Sequence, residues 1–158
     1  MSEKLKDHEE CKGAEQLEDL MNNFIQTATI IHRNLHILHW NIEGHGFLRI
    51  HKYFNNLYDD LMEDIDTVAE ELRKNDIYPK VSIVDCLDGS SVKPIESGRG
   101  YDIEDALKIA IDEYEELLDK CDKMAKISSN CELWTINDIM VQFMHKYNKA
   151  LWFLKVSK

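Results

Sequence analysis

Apolar residues return at steps of three and four along two long stretches, and a Gly44-His45-Gly46 turn is all that separates them. Leu17, Met21, Phe24, Ala28, Ile31, Leu35, Leu38 and Ile42 keep the seam spacing of a helix bundle, which predicts a first helix from about 15 to 42. Ile50, Phe54, Leu57, Leu61, Ile65, Val68 and Leu72 mark the buried face of a second, from about 47 to 74. Both prolines and three of the six glycines then fall between Asn75 and Gly100, so this stretch reads as a long crossover, with a short helix over Val81 to Leu87. Asp102 is a good N-cap, with Asp105 at the third helical position, for a third helix through Ala106, Ala110, Leu117, Cys121 and Met124. A fourth runs from about 135 to 155 through Ile136, Met140, Phe143, Tyr147, Ala150 and Leu154. Two antiparallel hairpins joined by one crossover predict an all-α four-helix bundle with a short extra helix between helices 2 and 3.

The second helix also carries a row of metal-ligand side chains. His51, Asn55, Asp66 and Glu70 lie within a stripe of roughly 100° beside its apolar face. They cannot meet within one chain, because the fifteen residues from His51 to Asp66 span roughly 22 Å of helix and a metal–ligand bond reaches about 2 Å. Their spacing is close to palindromic, however. His51 and Glu70 stand equally far from the midpoint at Asp60 and Leu61, as do Asn55 and Asp66. Two copies crossing antiparallel at that midpoint would bring the histidine of each to the carboxylates of the other, giving two equivalent sites per dimer. His39 lies five residues before Gly44 and His51 five after Gly46, so a hairpin sets both imidazoles at one height. Imidazole and carboxylate around an open position suit an Fe(II) centre that must meet an oxidant.

The run His39-Trp40-Asn41-x-x-Gly44-x-x-Phe47-x-x-x-His51, followed by Tyr58 and then Asp66-x-x-Ala69-Glu70, resembles the signature of the Dps family, the DNA-binding proteins from starved cells or mini-ferritins. Ser90-Ser91-Val92-Lys93, Asp138-Ile139 and Lys149-Ala150-Leu151-Trp152-Phe153-Leu154 extend the likeness to about residues 15 to 156. The resemblance implies a ferritin-like fold, a dodecameric shell, oxidation of Fe(II) preferentially by hydrogen peroxide, storage of the ferric mineral, and protection against oxidative stress. Position by position it implies His39 and His51 as iron ligands from one subunit and Asp66 and Glu70 from its two-fold partner. It further implies Asp138 at an acidic pore, although Asp138 could equally serve in a capping box after Thr135. Trp40 reads first as an interface aromatic and otherwise as a residue packed near the iron, and zinc could compete for the site. The family commonly has aspartate where this chain has Asn55, a neutral group able to coordinate weakly or through water, so one iron position is expected to be weak. That departure sustains an alternative, a shell or DNA-associated stress protein with an impaired iron site.

Thirty acidic residues against 19 Lys and Arg give a net charge of −11, which opposes binding to a polyanion. Residues 1–14 read as a flexible acidic tail in front of an iron-binding domain at 15–158; Lys4, Lys6 and Lys12 are outweighed there by Glu3, Asp7, Glu9 and Glu10. DNA binding is therefore expected to be weak or absent. The N-terminus lacks an apolar signal core and no run reaches the ~18 apolar residues of a membrane span, which predicts a cytoplasmic location. Cys11, Cys86, Cys121 and Cys131 form no CxxC pair and read as reduced thiols. His32 and His36, four residues apart, read as structural or surface residues, and His45 as part of the turn.

Overall fold

The computed structural model describes residues 13–158. The seam residues of the first stretch lie in or at the end of one helix, α1 (Ala14–Asn41), and every one of them is buried. The second stretch is α2, whose bounds, Phe47–Lys74, coincide with the apolar period. Gly44 and Gly46 both adopt positive φ, 118° and 89°, and this permits the tight reversal between the two helices. After a short helix α3 (Ile83–Gly89) come α4 (Ile103–Asn130) and α5 (Trp134–Val156). α1 packs on α2, α4 packs on α5, and α1 against α4 joins the two hairpins. The result is an all-α four-helix bundle with its extra helix in the crossover, as expected.

Local chemistry sets the boundaries. The Asp102 Oδ1 accepts from the Asp105 backbone N–H at 2.8 Å and opens α4. Ser82 and Asp85 form a reciprocal capping box that starts α3 two residues later than the sequence suggests. α5 starts close to the expected position but is capped differently: its N-cap is Leu133 and no side chain among the described residues caps it. Asp138 is exposed and accepts from Gln142 at 2.7 Å, so its expected capping role does not occur.

Two devices hold the crossover. α1 turns a polar face to it, where Asn22 accepts from the Lys80 N–H, Gln26 donates to the Lys80 carbonyl, and Asn34 donates to the Lys93 carbonyl while accepting from the Ile95 N–H. Its far end is clipped to the α1–α2 turn by two short parallel strands, β1 (Ile42–Glu43) and β2 (Tyr101–Asp102), with Ile42 opposite Tyr101. Cys86 and Cys121 are free, as expected, and both are buried, whereas Cys131 is disulfide-bonded, which corrects the expectation of a reduced thiol there. Cys11 and most of the acidic tail fall outside the described residues. Among the described residues, no helix is long and apolar enough to cross a membrane.

Candidate functional site

The hairpin brings His39 and His51 together. The His39 Nδ1 lies 2.8 Å from the His51 carbonyl oxygen and the His51 Nδ1 lies 2.7 Å from the His39 carbonyl oxygen. A carbonyl only accepts, so each Nδ1 carries a proton, and in the neutral ring that tautomer leaves the lone pair on Nε2. The rings stack with centroids 3.7 Å apart and 20° between planes. His39 is buried and His51 half-buried. Two imidazoles fixed in orientation by backbone acceptors could hold a metal ion through their remaining ring nitrogens.

Asn55 stands one turn further along α2. Its Oδ1 accepts from the Tyr58 hydroxyl at 2.5 Å and its Nδ2 donates to the Asp59 carboxylate at 2.6 Å. The amide is thus engaged on both sides, and it brings no negative charge to the histidine pair. Asp66 and Glu70 are exposed on the far half of α2, among exposed Asp59, Asp60 and Glu63. Among the described residues no three His, Cys, Asp or Glu side chains converge as a metal site within the single chain. Asp66 and Glu70 stand about four turns of α2 away from the histidine pair.

Around this pair lies an aromatic cluster that sequence reasoning did not assemble. His36 lies flat on Tyr58 with centroids 3.9 Å apart, Tyr58 meets His39 edge-on at 5.3 Å, and His32 meets His36 edge-on at 4.6 Å. Trp40, largely exposed, tilts over His36 at 5.2 Å rather than onto His39. Burial holds the pKa of His32 and of His36 below the ordinary imidazole value. The neighbouring His36 adds to the effect at His32, Arg33 and His39 add to it at His36, and Asp59 opposes it at both. The signal for the cluster was present in the hairpin register: if His39 faces His51, then His32 must stand near Tyr58.

The Ferritin family model, described as a ferritin-like domain, matches residues 12–156. "DNA protection during starvation protein 2" of Bacillus anthracis is 24% identical over 140 residues, which cover 89% of this chain and 94% of that protein. The structure of the DPS protein of Vibrio cholerae O1, described as a member of a broad superfamily of ferritin-like diiron-carboxylate proteins, superposes with a TM-score of 0.85 at 22% identity, covering 90% of this chain and 88% of that one. Antigen TpF1 of Treponema pallidum gives 0.87 at 20% identity, covering 90% and 91%.

Proposed function

The chain belongs to the ferritin-like family, and from that membership we propose that it is a Dps-like mini-ferritin that oxidises Fe(II) at sites between two-fold-related subunits and stores the ferric product inside a homo-oligomeric shell, a dodecamer by resemblance. The observation that carries the reading is the reciprocal His39–His51 pair, in which each Nδ1 meets the other residue's carbonyl oxygen, with no third His, Cys, Asp or Glu converging on a metal position among the described residues. The register of α2 supplies the rest. An antiparallel crossing at Asp60 and Leu61 sets Glu70 of the partner subunit level with His51, and Asp66 of the partner subunit level with Asn55.

Iron here is the substrate. His39 and His51 bind it from one subunit, Asp66 and Glu70 hold and neutralise it from the other, and no side chain need act as an acid or base. Two Fe(II) ions give two electrons to one hydrogen peroxide, which with two protons becomes two waters, so no hydroxyl radical is released. Asp138 belongs, on this reading, to the acidic route by which Fe(II) enters. Zinc competes for the same imidazoles. The surplus of acid leaves DNA binding weak, and at about 0.15 M salt a mobility-shift titration is expected to show no complex.

The test is Fe(II) oxidation by peroxide in the wild type beside His51→Ala/Asp66→Ala. The variant is expected to lose at least about tenfold in rate, since ligands from both subunits are removed. A rate equal to the wild type's would sink the interfacial site. A second reading, a shell whose iron site is impaired, is favoured by Asn55, because its amide is already engaged by Tyr58 and Asp59. Asn55→Asp is expected to raise Fe(II) affinity by about tenfold through the restored charge. No gain in an anaerobic binding titration would remove Asn55 as the reason for a weak position.

A further inference from the structure

His32 and His36 make a second pair of imidazoles on the same hairpin, unused by the site above. Both are half-buried, and steps of four and three along α1 put them on one helical face with His39. His36 is held flat against Tyr58, and Asp59 is close enough to act on both rings. Their ring centroids are 4.6 Å apart, near enough to share one ion.

The register gives their surroundings. His39 and His51 exchange hydrogen bonds and so share a height. At equal rise, seven residues back along α1 and seven forward along α2 bring His32 level with Tyr58, roughly 4 Å short of the Asp60–Leu61 midpoint. The two-fold crossing that pairs Asn55 with Asp66 of the partner subunit pairs Tyr58 with Glu63 of the partner subunit. We propose that His32 and His36 hold a second divalent cation, separate from the His39–His51 position and completed by Glu63 of the partner subunit; this rests on the interfacial reading above. Two imidazole nitrogens and one carboxylate with an open position suit zinc or cobalt rather than magnesium or calcium. Among the described residues of one chain no third ligand residue joins the pair.

Anaerobic Co(II) titration of the intact assembly, followed by dialysis counting and by the visible absorption of the ion, separates the two positions. The wild type is expected to bind two classes of Co(II). His32→Gln/His36→Gln loses one of the two classes, with at least tenfold weaker binding and loss of its absorption band, while the Co(II) count at His39–His51 stays. Glu63→Gln weakens the same class. Unchanged count, affinity and spectrum in His32→Gln/His36→Gln would overturn the second site, and unchanged affinity in Glu63→Gln would overturn the partner's share in it. Failure of the interfacial reading has a different mark, an unchanged Co(II) count in His51→Ala/Asp66→Ala.

Discussion

Replacing Glu113 by Gln is expected to abolish a loss of stability that the wild type suffers as pH rises from about 5 to 8. Glu113 is buried on α4; its Oε1 accepts from Asn34 at 2.6 Å and its Oε2 has no hydrogen-bond partner among the described residues. Burial pushes its pKa from 4.5 up to about 8, helped by the Asp112 carboxylate and opposed by the Asn34 bond. Between those two values the folded chain keeps the proton and the unfolded chain has released it. The folded state binds more protons, so stability is fully present below about 4.5, falls as pH rises through the window, and levels off above about 8. The gap is worth at most about 5 kcal/mol, an order-of-magnitude figure. Gln keeps the acceptor for Asn34 and cannot ionise. Melting temperatures of the two proteins should therefore converge near pH 5 and separate by several degrees at pH 8.5, with the variant higher. Parallel curves would show that Glu113 does not titrate in this window. Asn34 also holds Lys93 and Ile95 of the crossover, so in the wild type this segment should become more sensitive to protease as Glu113 ionises.

Asp64→Ala is expected to destabilise the bundle by about 3 kcal/mol. Asp64 lies on α2 but faces the core, where its carboxylate accepts from Lys146 and, at 2.8 Å, from the Tyr147 hydroxyl, both on α5. Burial raises its pKa in spite of these two donors. Alanine leaves the Tyr147 hydroxyl buried without an acceptor and opens a cavity, whereas Lys146, about a third exposed, can turn towards water. The lost term is therefore less than a doubly buried pair would give. Asp64→Asn keeps an acceptor for Tyr147 and should lose about half as much. Chemical denaturation compares the two; equal midpoints for Asp64→Ala and wild type would show that the buried pair contributes nothing net.

The bundle was legible because its information is local. Helix lengths follow from apolar period, the hairpin from Gly44 and Gly46, and the start of α4 from Asp102, each readable within a few residues. The His39–His51 pair was legible for the same reason, since equal distances from one turn fix equal heights. The buried polar groups were not. Asp64, Glu113 and Lys120 interrupt apolar stripes and look like solvent-facing residues until partners from other helices are in place, Lys146 and Tyr147 for Asp64 and Asn34 for Glu113. The polar face of α1 that grips the crossover escaped likewise, because its partners are backbone groups whose positions no side-chain pattern announces. The onset of α5 falls within one residue of the expected position, but its cap differs because a turn sets it: Glu132 takes a positive φ of 57° and the Leu133 N–H bonds back to the Ser128 carbonyl, which leaves no role for Thr135 as a cap.

The β1–β2 clip bears on the order of folding. It joins Ile42 to Tyr101 across a loop containing all of α2 and α3, and such a closure gains its contacts only after a large loss of chain entropy. The α1–α2 hairpin needs only the reversal at Gly44 to Gly46. It is therefore the unit expected to form early, with crossover and clip closing late, so that His39 and His51 are paired while the chain is still assembling the rest of its bundle.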